Sequence, residues 1–156
     1  MTELVFYHQC IVPCPAFELL DATIKAHGMH RVESHFDEFR IDVYALSDSP
    51  SSRLVAIDYD NTITADPDFY QHLIRVFREN GWEPIVCTMR CPDAENFAEI
   101  WGQLRDSTVP IYTTDGQTKR PYMLERGIQI GLWLDDMFPA IACPGAWVLQ
   151  VNGINY

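Results

Sequence analysis

Two aspartates, Asp58 and Asp60, close the apolar run Leu54–Ile57, and Thr62 follows two residues later. Carboxylates are costly to take out of water without partners. Acids at the end of a buried strand therefore need a cation, a donor or a chemical task. The same combination of residue types recurs downstream. "EPIVCT" ends in Thr88 and is followed by Met89-Arg90, "TTDGQTKR" carries Lys119, and "IGLWLDD" ends in Asp135-Asp136. Clustered carboxylates suit a hard cation such as Mg²⁺. A metal, a Lys and an Arg together can cradle a phosphoryl group and offset its charge. A carboxylate held beside them can attack phosphorus, and a second acid can protonate the leaving oxygen and then activate water.

These residues need a scaffold that brings them together. After the polar, turn-prone linker "SDSPSS" (Ser47 to Ser52), apolar strands and amphipathic helices alternate. "RLVAID" reads as a strand. Asp66-Pro67 starts a helix to about Asn80, with Phe69, Leu73, Val76 and Phe77 on one face and Gly81 as its stop. "EPIVCT" is the next strand, and "PDAENFAEIWGQLRD" a helix with Phe97, Ile100, Trp101 and Leu104 at helical spacing. "VPIYT", the short helix "RPYMLERG", "IGLWLDD", a helical turn at "FPAIAC" and a last strand "AWVLQV" complete the pattern. The expected class is α/β, a Rossmann-like parallel sheet flanked by helices. Ligands bind such sheets beyond the carboxyl ends of the strands. The four strand ends should therefore bring their acids, hydroxyls, Arg and Lys to one rim, where helix N-termini add positive ends.

Residues 1–47 read as a small β-α-β-β extension. Its strands are "ELVFYHQCIV", "RVESHF" and "FRIDVYAL", the last two a hairpin, and its helix is "PAFELLDATIKAH", ended by Gly28. So short a unit buries little surface alone. It is expected to pack on the domain at 53–156 or on another copy of the chain, which would make a homo-oligomer. The 156 residues carry 11 basic and 22 acidic side chains, a formal charge of −11. That balance argues against a broad nucleic-acid-binding face. With Lys25 and Lys119 the only lysines, the position of each is informative. No apolar stretch approaches the roughly 18 residues of a membrane span, so no membrane partner is expected. Five cysteines without framework spacing suit reduced thiols and a cytoplasmic protein.

Hydrophobic-strand D-x-D-x-T, then a strand ending in Thr, then Lys, then a strand ending in D-D resembles the haloacid dehalogenase superfamily of phosphotransferases. All four of its motifs occur in order between about Arg53 and Tyr156. The pattern is most similar to the phosphatase half of bacteriophage polynucleotide kinase. That family has a strand ending S-G-R where Thr88-Met89-Arg90 stands here, and one ending I-D-D where Leu134-Asp135-Asp136 stands. The resemblance implies a Mg²⁺-dependent phosphatase, a phosphoric monoester hydrolase. Asp58 would be the nucleophile, Asp60 the general acid/base, and Lys119 would steady the nucleophile and the transferring group. Thr62, Thr88 and Arg90 would meet the substrate phosphate. Asp58, Asp60 through its carbonyl, Asp135 and Asp136 would hold Mg²⁺. An Arg after a strand can also simply pair with an acid of the next helix.

Asn61 stands where the family has Gly, and Asn tolerates the left-handed backbone better than most residues. Residues 1–47 match nothing in the family. One helix between Thr62 and Pro84, and one between Arg90 and Pro110, leave no room for the usual inserted cap. The substrate stays open between a nucleotide, a polynucleotide end and a small phosphorylated metabolite, with the acidic balance pulling against nucleic acid. The competing readings are a phosphate- or nucleotide-binding module of the same fold without turnover, and a receiver-type signalling domain. Receivers place their acid pair on the first strand, whereas here Asp135-Asp136 comes last. Intact Asp58, Asp60, Lys119 and Asp135 favour turnover.

Overall fold

The computed structural model describes residues 3–10, 15–26, 40–47, 51–141, 150–151 and 154–155. Strands β1 (Glu3–Cys10) and β2 (Arg40–Ser47) flank helix α1 (Pro15–Ala26). Then follow β3 (Leu54–Ile57), α2 (Pro67–Glu79), β4 (Glu83–Thr88), α3 (Ala94–Leu104), β5 (Ile111–Thr113), α4 (Lys119–Glu125), β6 (Leu132–Asp135) and α5 (Phe138–Ile141). The sheet order is β1-β2-β6-β3-β4-β5. Strands β6, β3, β4 and β5 form an all-parallel sheet flanked by helices, the expected α/β class with a Rossmann-like arrangement.

Alternation along each strand divides the core between the two faces. Val55, Ile57, Val86, Leu132 and Leu134 face one side, with Leu73 and Phe77 of α2, Ile100 and Leu104 of α3, and Leu20 of α1. Ala56, Ile85, Cys87 and Trp133 face the other, under Met123 of α4 and Ile141 of α5. Both faces are covered, which is why these strands read as continuous apolar runs.

Helix α2 follows from local chemistry. The Asp66 carboxylate accepts a hydrogen bond from the Phe69 N–H at 3.0 Å, Pro67 opens the first turn, and Gly81 ends the helix at φ 78°. Phe69, Leu73 and Phe77 are buried as the spacing predicts, together with Tyr70 and Ile74, while Val76 is half-buried. Helix α3 is shorter than the sequence pattern implied, because Asp93 caps it and accepts from the Asn96 N–H at 2.7 Å. Its Ile100 and Leu104 are buried, whereas Phe97 and Trp101 lie half-buried and stacked on each other.

Two expectations are changed or fall outside the described residues. Within "AWVLQV" the described part is β7 (Gln150–Val151), which pairs antiparallel with β8 (Ile154–Asn155) in a separate two-stranded sheet. "RVESHF" and Gly28 lie outside the described residues. Strand β2 runs antiparallel to β6 with Tyr44 opposite Asp135 and Leu46 opposite Trp133. The residues of β2 before Tyr44 therefore continue past the carboxyl end of β6, and β1 pairs in parallel on their far side. Among the described residues no helix is long and apolar enough to cross a membrane.

Gly131 marks the tightest crossing. A Cβ there would lie 2.4 Å from the Ser52 carbonyl oxygen and 3.3 Å from that of Leu54, which accepts the Gly131 N–H at 2.9 Å. Here the glycine is required by contact rather than by φ. Gly131→Ala is expected to cost about 1–3 kcal/mol by overpacking, lowering Tm by roughly 2–4 °C per kcal/mol for a domain of this size. Thermal denaturation followed by circular dichroism checks it, and an unchanged Tm would show that the crossing is looser than the geometry requires.

Candidate active site

The β3 ladder continues one residue beyond the strand, with the Asp58 N–H donating to the Leu134 carbonyl at 2.8 Å. The chain then turns sharply. Asn61 takes the left-handed conformation at φ 59°, which Asn tolerates better than most residues, and its N–H donates to Thr64 Oγ1 at 2.8 Å. This turn leaves Asp58 buried and Asp60 exposed. It also carries Thr62, fully buried, back to Asp58. Thr62 Oγ1 donates to Asp58 Oδ2 at 3.2 Å and accepts from the Asp136 N–H at 3.1 Å. Thr62 thus ties the end of β3 to the end of β6, with no surface left for a substrate.

Lys119 reaches the site by a second constrained turn. Asp115 and Gly116 are both left-handed, at φ 51° and 79°, and Thr114 Oγ1 donates to the Gln117 carbonyl at 2.6 Å. The N–H groups of Thr114, Asp115 and Gly116 donate to the carbonyls of Thr88, Arg90 and Met89. The turn is thereby fastened to the end of β4, and α4 starts at the rim. Lys119 Nζ donates to Asp58 Oδ1 and to Asp135 Oδ2, both at 2.5 Å, with its side chain 2% exposed. Asp135 Oδ1 accepts from the Met137 N–H at 2.9 Å.

Asp58, Asp135 and Asp136 can each offer one carboxylate oxygen within 4.8 Å of the others. Three acids share one lysine there. The imbalance shows in their protonation. Burial and the charge of Asp58 push Asp135 up to about 7 against the pull of Lys119, and the same two causes push Asp136 up to about 6. Burial alone would lower the Lys119 pKa, but Asp135 and Asp58 outweigh it and hold the ammonium charged. A compact set of carboxylate oxygens with uncompensated negative charge fits a hard divalent cation.

Asp60 and Arg90 form a separate group. Arg90 Nε and Nη2 donate to the two Asp60 oxygens at 2.9 and 2.7 Å, and Nη1 donates to Glu99 Oε2 at 2.8 Å and Asn96 Oδ1 at 3.1 Å. The guanidinium also lies 4.7 Å from the centroid of the Tyr59 ring, whose hydroxyl donates to Glu99 Oε1 at 3.0 Å. The resemblance assigns Arg90 to phosphate, and its place after a strand also allows a pair with an acid of the next helix; in the structure it engages Asp60 and, in α3, Glu99. Glu99, Asn96 and Tyr59 were not singled out from the sequence. The available signal was that α3 follows Arg90 directly and repeats polar residues on the turn facing it. Thr88 is buried at the end of β4, and its Oγ1 accepts from the Arg90 N–H at 3.3 Å.

The raised carboxyls have a consequence for stability. Between about pH 4, the unfolded value, and about pH 7, the folded chain holds protons at Asp135 and Asp136 that the unfolded chain has released. Stability therefore rises as pH falls through that window, in which Lys119 stays charged in both states. Chelator-treated protein is expected to melt at a higher temperature at pH 5.5 than at pH 8, and Mg²⁺ to raise Tm more at pH 8. Differential scanning calorimetry checks both. A melting temperature that falls steadily with acidification over this range contradicts the crowded-carboxylate account. Comparison with protein-family models, with curated proteins and with solved structures finds no match for this chain.

Proposed function

We propose that this chain is a Mg²⁺-dependent phosphatase of the haloacid dehalogenase type, hydrolysing a phosphate monoester through an aspartyl-phosphate on Asp58. The observation that carries the reading is the setting of Asp58. One of its oxygens is held by the buried ammonium of Lys119 and the other by Thr62, beside Asp135 and Asp136 at the end of an interior strand of the sheet. A structural carboxylate needs one good partner. This one has a preorganised cation, a hydroxyl and two further acids, and it stands where α/β sheets bind ligands.

In this reading Asp58 attacks phosphorus and the bond to the leaving oxygen breaks. Asp60 supplies the proton that the leaving oxygen takes up. Asp60 then accepts a proton from the water that hydrolyses the acyl phosphate, which restores both carboxyls. Lys119 aligns Asp58 and offsets charge on the transferring group. Mg²⁺, held by Asp58, Asp135, Asp136 and the Asp60 carbonyl, would offset the charge of the phosphoryl oxygens. Asp60 must part from Arg90 to reach the leaving group. Glu99 and Asn96 keep the guanidinium in place when it does. The site has no inserted cap: the chain passes from β3 to β4 through a 3₁₀ turn and α2, and from β4 to β5 through α3. The register of β2 on β6 carries the first half of β2 past the end of β6, beside the open rim, where that strand would serve as a wall.

The test is hydrolysis of p-nitrophenyl phosphate. Turnover should require Mg²⁺ and fall to background in excess EDTA. Asp58→Asn keeps the shape and removes the nucleophilic charge, and it should reduce kcat to less than about a hundredth while the protein stays folded by circular dichroism. Full activity in EDTA, or in Asp58→Asn, would require a different mechanism.

A further inference from the structure

We infer that the substrate is a phosphate monoester whose leaving group is uncharged and partly apolar, and that polyphosphorylated substrates and polynucleotide ends are excluded by charge. This deepens the phosphatase reading and rests on it. Three independent observations support it.

The first is that the cations of the rim are already engaged. Lys119 is buried between Asp58 and Asp135. Arg90 donates to both oxygens of Asp60, to Glu99 and to Asn96, with one face against Tyr59. Arg120, half-buried beside Lys119, is not free either. Helices α2, α3 and α4 run away from the rim, so Arg78, Arg105 and Arg126 at their ends lie at the opposite edge of the sheet, as does Arg53 before β3. Among the residues whose side chains are described, the cations nearest the rim are thus already engaged.

The second is the sign of what is exposed. Beyond the three-acid cluster, Asp60, Asp93 and Asp115 are exposed on the loops that border the site and Glu99 on the second turn of α3, with Arg90 offsetting one charge of Asp60 and Glu99. A bound Mg²⁺ offsets two charges of the cluster and leaves this outer ring in place. An additional phosphate on the leaving group would be set among like charges, a placement that costs binding and slows encounter. The chain as a whole, at −11, repels a polyanion in the same sense.

The third is what else stands at the mouth. Among the described residues, Met89 and Met137 are two of the few large hydrophobic side chains left exposed, at 37% and 54%. Each immediately follows a site residue, Met89 after Thr88 and Met137 after Asp136, so they project from the ends of the two strands that flank β3. Flexible thioethers adapt to flat or irregular apolar groups and pack well against aromatic rings.

A graded series on the full chain with Mg²⁺ tests the inference. Its members are p-nitrophenyl phosphate, a nucleoside 3′-monophosphate, the corresponding 3′,5′-bisphosphate and a 3′-phosphorylated oligonucleotide. At about 0.02 M ionic strength, where screening is weak, kcat/KM should fall roughly 30-fold or more from the monophosphate to the oligonucleotide. The gap should narrow at about 0.2 M as screening shortens the reach of the acids. Met89→Lys combined with Met137→Lys should narrow it at low salt, by improving the oligonucleotide more than the monophosphate. Equal or faster oligonucleotide turnover at low salt, declining as salt rises as for a nucleic-acid-binding surface, would overturn the substrate class. In that outcome p-nitrophenyl phosphate is still hydrolysed, and the phosphatase reading stands. If no member of the series is turned over and Asp58→Asn matches the wild type, the phosphatase reading falls and the substrate class with it.

Discussion

The interaction on which the site depends is the buried ammonium of Lys119 between Asp58 and Asp135. It joins three pieces of chain that are far apart in sequence: the end of β3, the end of β6 and the start of α4. Burying a charge costs several kcal/mol unless geometry and hydrogen bonding compensate, and here both carboxylates point an oxygen at Nζ. The arrangement constrains the rest of the fold. Strand β3 must lie next to β6, the 114–118 turn must present Lys119 inward, and the helix it begins must pack on the face carrying Met123. Deleting one partner leaves unpaired buried charge, a loss typically of about 3–5 kcal/mol, so the cluster is tied to stability as closely as to chemistry.

The same cluster is deliberately short of positive charge. A structural salt bridge would balance its acids, whereas one lysine here faces Asp58, Asp135 and Asp136, and two of those carboxyls are pushed toward neutrality. Under the proposed function that deficit is the demand that Mg²⁺ would meet. Thr62 makes the demand geometrically fixed. Its hydroxyl bridges Asp58 and the backbone of Asp136, so the acids cannot relax apart to relieve their repulsion.

Much of this was legible in the sequence where local chemistry decides. Asp66-Pro67 and Gly81 bound α2, the strand β4 runs from Glu83 to Thr88, and Asn61 adopts the left-handed backbone its position requires. The convergence of Asp58, Lys119, Asp135 and Asp136 was legible too, because a parallel sheet sends successive strand ends to one edge. What could not be read was decided by side-chain reach. The long Arg90 can turn toward the site or toward α3, and only the placement of Glu99 and Asn96 one helical turn apart settles its direction. The resemblance assigns Thr62 to the substrate phosphate. The sharpness of the turn instead folds it beneath the acids. The β7–β8 pair depends on where the chain goes after α5, which no local pattern specifies.

The two aspartates of the D-x-D pair therefore live in opposite settings, and the difference follows from two residues of backbone. Asp58 is buried, and its partners Lys119 and Thr62 are buried as well, so leaving them would strand charge in a low-dielectric interior. Asp60 is half exposed, as is Glu99, and the guanidinium between them is in contact with water. Exposed ion pairs contribute little, about 0–1 kcal/mol, because solvent and salt replace them readily. In the proposed mechanism Asp58, as nucleophile, has to be held still, and Asp60, as proton carrier, has to change partners. The turn at Asn61 accomplishes that division by sending one carboxylate under the sheet's edge and the next out over it, with Arg90 as a resting partner that water can displace.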